Sequence, residues 1–135
     1  MTLKFFASLF LILALDFLWL GFIVKDFNLQ QLRYIARIEN GAFQLLPVPA
    51  VLAYLLMALS VVLFSLPQAA NANSGLEAFF WGAMLGLVVY GIFDFTNLAV
   101  LKDYPLAFAA CDLAWGTFLY GFVTWTIGWI AKGRL

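Results

Sequence analysis

The sequence predicts an all-α integral membrane protein: one domain, residues 1–135, formed by a bundle of four transmembrane helices. Hydrophobic residues make up 66% of the chain and charged residues 10%, more apolar surface than 135 residues can enclose in a water-soluble core. A membrane-spanning helix needs about 20 predominantly apolar residues. Continuous runs of that kind, without the alternation typical of a β-barrel, are Leu3–Val24, Leu45–Leu66, Glu77–Leu101 and Leu106–Ala131.

The first run begins near a lysine, Lys4, and in that respect looks like a signal peptide. It also contains Asp16 and several bulky side chains, and no small-residue cleavage pattern precedes Lys25. We therefore interpret it as a retained span.

The segment between the first two spans is the only long polar connection. Apolar residues recur at helical spacing within Asn28–Glu39, which predicts a short amphipathic helix on the membrane surface that ends at Asn40 and Gly41. An extension of the first span and an ordinary loop are the alternatives. The later connections, Pro67–Gly75 and Lys102–Pro105, are expected to be an exposed linker and a tight hairpin.

The first and third spans resemble each other. The stretch that begins at Asp16 and runs to Phe27 aligns with the stretch from Asp94 to Tyr104 if one residue is skipped. If this similarity reflects an internal repeat, the chain consists of two parallel helical-hairpin repeats. Chance similarity is the alternative, because membrane exits often carry a lysine.

Aspartates within the apolar runs carry the main functional hypothesis. Asp16, Asp94 and Asp112 lie in the first, third and fourth runs. A carboxylate at membrane depth costs several kcal/mol unless it is paired, protonated or in contact with water. At a rise of about 1.5 Å per residue, all three fall in one half of the bilayer, where we expect them to share a ligand or proton site.

The neighbours of these aspartates are suited to such a site. Aromatic or amide side chains lie one turn away on the same helix faces, which makes the predicted site Asp16, Trp19, Tyr90, Asp94, Asn97, Asp112 and Trp115. The alternative is that these groups only form structural hydrogen bonds that fix the register of the helices.

Small residues on the last two spans predict close helix packing. The expected contact residues are Ala78, Gly82, Gly86, Thr117, Gly121 and Gly128. The same small-residue ridges could instead mediate a homodimer.

Other kinds of chemistry find little support in the sequence. The chain has no histidine, the commonest general base and metal ligand. Its single cysteine, Cys111, is best interpreted as a small buried thiol. We therefore predict no catalytic residues, no metal, no cofactor and no nucleic-acid partner.

The aspartate motifs resemble those of a known family. Leu15–Gly21, Tyr90–Ala99 and Asp112–Gly116 are similar to motifs of a bacterial family of small predicted membrane proteins classified as a domain of unknown function. The resemblance covers nearly the whole chain. It implies four helices and a bacterial inner membrane, and no established activity comes with it.

The first functional hypothesis is a site that binds a lipophilic or amphipathic molecule within the membrane, with proton-coupled transport as its extension. The second is an accessory or assembly subunit of a larger membrane complex. A membrane enzyme ranks last. The basic segment between the first two spans favours contact with an anionic cytoplasmic leaflet. We therefore expect this segment and the hairpin between the third and fourth spans on the cytoplasmic side, and both termini on the outer side.

Overall fold

A computed structural model describes residues 1–129 of the chain. It confirms an all-α membrane bundle with four helices that are long and apolar enough to cross a membrane: Thr2–Ile23, Pro47–Asn71, Gly75–Val100 and Leu106–Gly128. We call these the first to fourth spans. The predicted end of the fourth helix at Ala131 lies outside the described residues.

Both of the first two spans contain a π-helical turn. The first is α-helical over Thr2–Leu18 and continues as a π turn over Trp19–Ile23. The second is α-helical over Pro47–Ser60, π-helical over Val61–Ser65, and α-helical again from Leu66 to Asn71. A π turn holds an extra residue and shifts the helix face that follows it.

The second span is longer than the sequence predicts. Pro67 was expected to start a linker, but it lies in the first turn of the last helical piece, directly after the π turn. A proline is tolerated there because its ring fits the first turn of a helix. The linker to the third span is correspondingly short.

The third span starts at a capping motif. The Ser74 hydroxyl accepts a hydrogen bond from the Glu77 backbone N–H at 3.1 Å, and the Glu77 carboxylate accepts one from the Asn73 backbone N–H at 2.8 Å. These contacts satisfy donors that the start of a helix leaves unpaired. The helix therefore begins at Gly75, slightly before the predicted Glu77.

The predicted surface helix over Asn28–Glu39 is wrong in its extent. The observed helix covers Lys25–Gln31, and the chain then forms an antiparallel hairpin of two short strands, Ile38–Glu39 and Ala42–Phe43. Asn40 and Gly41, with φ of 50° and 73°, form its turn. Asn-Gly is the pair that a two-residue hairpin turn favours, so it pairs two strands here rather than only ending a helix.

The third and fourth spans form the most extensive helix interface. Ala78, Gly82 and Gly86 are buried, and a Cβ added to Gly82 or Gly86 would overlap backbone atoms of Tyr120 or Gly116. Such close approach requires glycine at these positions. This small-residue ridge therefore packs inside the monomer.

The other predicted packing residues have different neighbours. Gly121 lies against the Phe79 ring of the third span, whereas Gly128 lies against Ala69 of the second span. The Thr117 hydroxyl donates to the Leu113 carbonyl oxygen of its own helix at 2.8 Å.

The second span packs unevenly against the rest of the bundle. Its first helical piece, Pro47–Ser60, packs mainly on the first span, whereas the pieces from Val61 to Asn71 contact the third and fourth spans. The two helical hairpins are thus packed differently, and a space is left beside Pro47–Ser60 in the half of the bundle that carries the aspartates.

Candidate functional site

A large cavity lies beside Pro47–Ser60, in the half of the bundle that carries the aspartates. Its volume is about 1270 Å³, and its walls come from all four spans and from the segment that joins the first two. Leu32 and Phe43 of that segment contribute to the lining. The lining is mainly apolar; its polar members are Asp16, Asn28, Tyr54, Ser60, Tyr90, Asp112 and Tyr120.

Asp16 is held by a tryptophan of the fourth span. The Trp115 indole Nε1–H donates to Asp16 Oδ1 at 2.7 Å, and Asp16 is only 4% exposed. Trp19, the first residue of the π turn, stacks on Trp115 with ring centroids 4.4 Å apart and planes 4° apart. Tyr54 of the second span places its hydroxyl beside the same carboxylate. Three spans are therefore joined at Asp16.

Asp112 lies one turn before Trp115 on the fourth span and lines the same cavity. It accepts none of the side-chain hydrogen bonds found among residues 1–129, and its surroundings include Asp16 and Asp94. Its carboxylate oxygens are therefore available to a molecule in the cavity.

Tyrosine rings form the wall next to Asp112. Tyr90 and Tyr120 make an edge-to-face contact with centroids 6.2 Å apart and planes at 81°. The Ser60 hydroxyl donates to the Tyr120 hydroxyl oxygen at 3.3 Å. Together with Tyr54, these tyrosines lie near the carboxylate of Asp16, and Tyr90 also lies near that of Asp112.

Asp94 occupies a separate position. It does not line the cavity and is 1% exposed. The Tyr104 hydroxyl donates to Asp94 Oδ1 at 2.8 Å, whereas Oδ2 has no hydrogen-bond partner within residues 1–129. Asn97 lies beside the Tyr104 hydroxyl. Burial, followed by the hydrogen bond to Asp94, raises the pKa of Tyr104.

The predicted seven-residue site thus divides into two groups. Five of its members lie at or beside the cavity, namely Asp16, Trp19, Tyr90, Asp112 and Trp115. Asp94 and Asn97 belong instead to a small polar cluster at the hairpin between the third and fourth spans.

Sequence reasoning missed some polar groups of the site. Tyr54 and the buried Asn28 line the cavity, and Tyr104 holds Asp94. The available signal was a polar side chain within or beside an apolar run. Tyrosines are common at membrane boundaries, so that signal is weak for Tyr54 and Tyr104.

The charged residues that line the cavity, Asp16 and Asp112, are both acidic. None of the basic residues within 1–129 lines it, namely Lys4, Lys25, Arg33, Arg37 and Lys102. The chain has no histidine. Residues 1–129 contain no cluster of three or more metal-ligating side chains. The cavity therefore offers acceptor groups and protonatable oxygens to a hydrophobic molecule.

Comparison with known proteins identifies the family. The family model described as "Predicted membrane protein (DUF2177)", a domain of unknown function, matches residues 1–129. The chain belongs to this family. No curated protein and no solved structure matches it.

Proposed function

We propose that this member of the DUF2177 family binds a lipophilic or amphipathic molecule in the cavity between its spans. The observation that carries the proposal is the opening of two carboxylates, Asp16 and Asp112, into a space with mainly apolar walls. Known ligand sites combine such walls with a few polar groups that orient the ligand.

The size of the cavity favours an elongated ligand. At about 1270 Å³, it exceeds the roughly 300–1,000 Å³ of typical small-molecule pockets. The walls include Ala53 and Leu56 of the second span and Val89 and Phe93 of the third, and Leu56 and Phe93 are exposed at the gap between these spans. A hydrocarbon chain could enter through this gap directly from the lipid.

Proton-coupled transport is the proposed extension of ligand binding. Intramembrane carboxylates commonly serve as proton sites in transporters. A second pair of hydroxyls lies in the other half of the bundle, where Ser65 Oγ and Thr124 Oγ1 are hydrogen-bonded at 2.8 Å and both residues are buried. Together with the Ser60–Tyr120 pair at the cavity, these hydroxyls are suited to passing a proton. We propose a bacterial inner membrane as the location of this activity, as the resemblance noted above implies.

An accessory role in a larger complex is the alternative proposal. Its support is the small size of the protein, its minimal extramembrane surface, and small-residue ridges, one of them on the third span, that partner helices could use. Gly82 and Gly86 of that ridge are already occupied by the fourth span, which leaves ligand binding as the better supported function.

Photo-cross-linking tests the proposed site. A 16-carbon alcohol that carries a diazirine on its chain is added to the purified protein in lipid nanodiscs, and the labelled peptides are identified by mass spectrometry. We expect labels to concentrate on cavity-lining residues such as Ala53, Leu56 and Phe93.

A cavity-filling variant provides the control. Ala53→Phe should reduce the cavity label, whereas Ala110→Phe, at an exposed position of the fourth span outside the lining, should leave it unchanged. Uniform labelling of all lipid-facing residues, insensitive to Ala53→Phe, would contradict a ligand site.

A further inference from the structure

The polar groups of the cavity differ in kind from those of a neutral lipid site. Asp16 and Asp112 supply carboxylates, and tyrosine hydroxyls surround them. Among residues 1–129, no lysine or arginine contributes to the lining, and the chain has no histidine. A ligand head group that brings a positive charge would provide the counter-charge that these residues do not supply.

Asp112 is the cavity carboxylate that is available to pair with a positively charged head group. Asp16 already accepts the Trp115 indole hydrogen bond at 2.7 Å and has Tyr54 beside it. Asp112 accepts no side-chain hydrogen bond within residues 1–129, yet it faces the cavity. An ionised carboxylate without a partner is costly at membrane depth, so a bound cation would remove a penalty that a neutral ligand leaves in place.

The neighbouring aromatic rings favour the same head group. Tyr90 and Tyr120 pack edge-to-face, both line the cavity, and Tyr90 lies close to Asp112. Ring faces attract cations, and the attraction grows when water is excluded. An anionic head group would be repelled by the carboxylates of Asp16 and Asp112 in the lining.

We propose that the cavity selects single-chain amphipaths with a primary ammonium head group, which pairs with Asp112 while the hydrocarbon chain lies between the second and third spans. This inference rests on the proposed function and deepens it by naming the ligand class. The shared chemistry, an ammonium on a long chain, occurs in free alkylamines and in aminophospholipids, and the experiment separates these two sources.

Calorimetric titration tests the charge preference. The protein in phosphatidylcholine nanodiscs is titrated with dodecylammonium, dodecanol, dodecyl sulfate and lysophosphatidylethanolamine, and the heat from empty nanodiscs is subtracted. We expect dodecylammonium to bind saturably and at least about tenfold more tightly than dodecanol. Dodecyl sulfate should bind more weakly than either. Tighter binding of lysophosphatidylethanolamine than of dodecylammonium would identify an aminophospholipid as the source of the ammonium.

Matched variants assign the preference to one carboxylate. Asp112→Asn retains the size of the side chain and should reduce the ammonium-over-alcohol ratio to within about threefold of unity. Asp26→Asn removes an exposed aspartate from the short helix outside the cavity lining and should leave the ratio unchanged. Thermal melting of each variant in detergent checks that the fold is retained. If Asp112→Asn does not fold, Asp112→Glu, which keeps the charge, should preserve the ratio.

The outcomes separate the two proposals. Equal affinity for dodecylammonium and dodecanol, with both saturable, would overturn the ammonium preference and leave the lipophilic site intact. Preference for the sulfate would also overturn it. Absence of saturable binding by all the chains would overturn the ligand site together with this inference.

Discussion

The hydrogen bond between Trp115 and Asp16 joins the fourth span to the first, and its removal should measurably destabilise the bundle. In Trp115→Phe, the Nε1–H that lies 2.7 Å from Asp16 Oδ1 is lost. Because Asp16 is 4% exposed, water can replace that donor only by entering the site. We expect the lost bond to reduce the free energy of unfolding by about 1–2 kcal/mol, since interhelical bonds in membranes fall at the low end of hydrogen-bond values.

A second aromatic variant separates the hydrogen bond from the ring packing. Trp19 stacks on Trp115 at a centroid distance of 4.4 Å, but its indole N–H is not a donor to Asp16 in the structure. Trp19→Phe should therefore cost only part of a stacking contact, about 0.5–1.5 kcal/mol. Trp115→Phe loses a comparable part of the stack as well as the hydrogen bond, so it should be the more destabilising variant.

Unfolding by denaturant in detergent micelles measures both variants, and a double-mutant cycle with Asp16→Leu isolates the pair. In the Asp16→Leu background, Trp115→Phe should cost at least about 1 kcal/mol less than in the wild type. Equal costs of Trp115→Phe in the two backgrounds, together with equal effects of Trp115→Phe and Trp19→Phe, would refute the role given to this hydrogen bond.

Further predictions concern packing, the hairpin and topology. Gly86→Ala should destabilise the protein by about 1–3 kcal/mol because its Cβ would overlap the backbone of Gly116, whereas Gly21→Ala, with nothing within 4 Å, should be neutral or stabilising in thermal melts. Burial and the bond to Asp94 raise the pKa of Tyr104, so deprotonation of the unfolded state should erode stability as pH rises above about 10, and Tyr104→Phe should weaken that decline. A flat wild-type profile in this alkaline range would contradict the buried Tyr104 contact. Single cysteines introduced at positions 2 and 134, in a background without the native cysteine, should label from the same side of the membrane, and labelling from opposite sides would exclude an even number of spans.

The sequence was sufficient for the bundle because its signals are long and continuous. Each span is a run of apolar residues of the length that a bilayer requires. The spacing of Gly82 and Gly86 on one helix face likewise predicted a close contact. Local details were less predictable, because Asn40 and Gly41 suit both a helix end and a hairpin turn, and only pairing of the flanking strands decides between them.

The candidate site was predictable in its residues more than in its geometry. Depth along a helix follows from residue number, which is why Asp16, Asp94 and Asp112 were expected in one half of the bilayer. The direction in which a side chain points depends on the rotation of each helix, which sequence alone leaves open. Asp94 lies in the same half of the membrane but turns to Tyr104 in the hairpin instead of to the cavity. The π turn that begins at Trp19 also changes the helix face in a way that a regular helical period does not anticipate.

A high-resolution map of the purified protein in lipid nanodiscs is the most direct test of the central claim. We expect an elongated density in the cavity between the second and third spans, with its polar end next to Asp112 and its chain along Leu56 and Phe93. A cavity closed by movement of the second span against the third, or filled by a helix of another protein, would contradict a ligand-binding function.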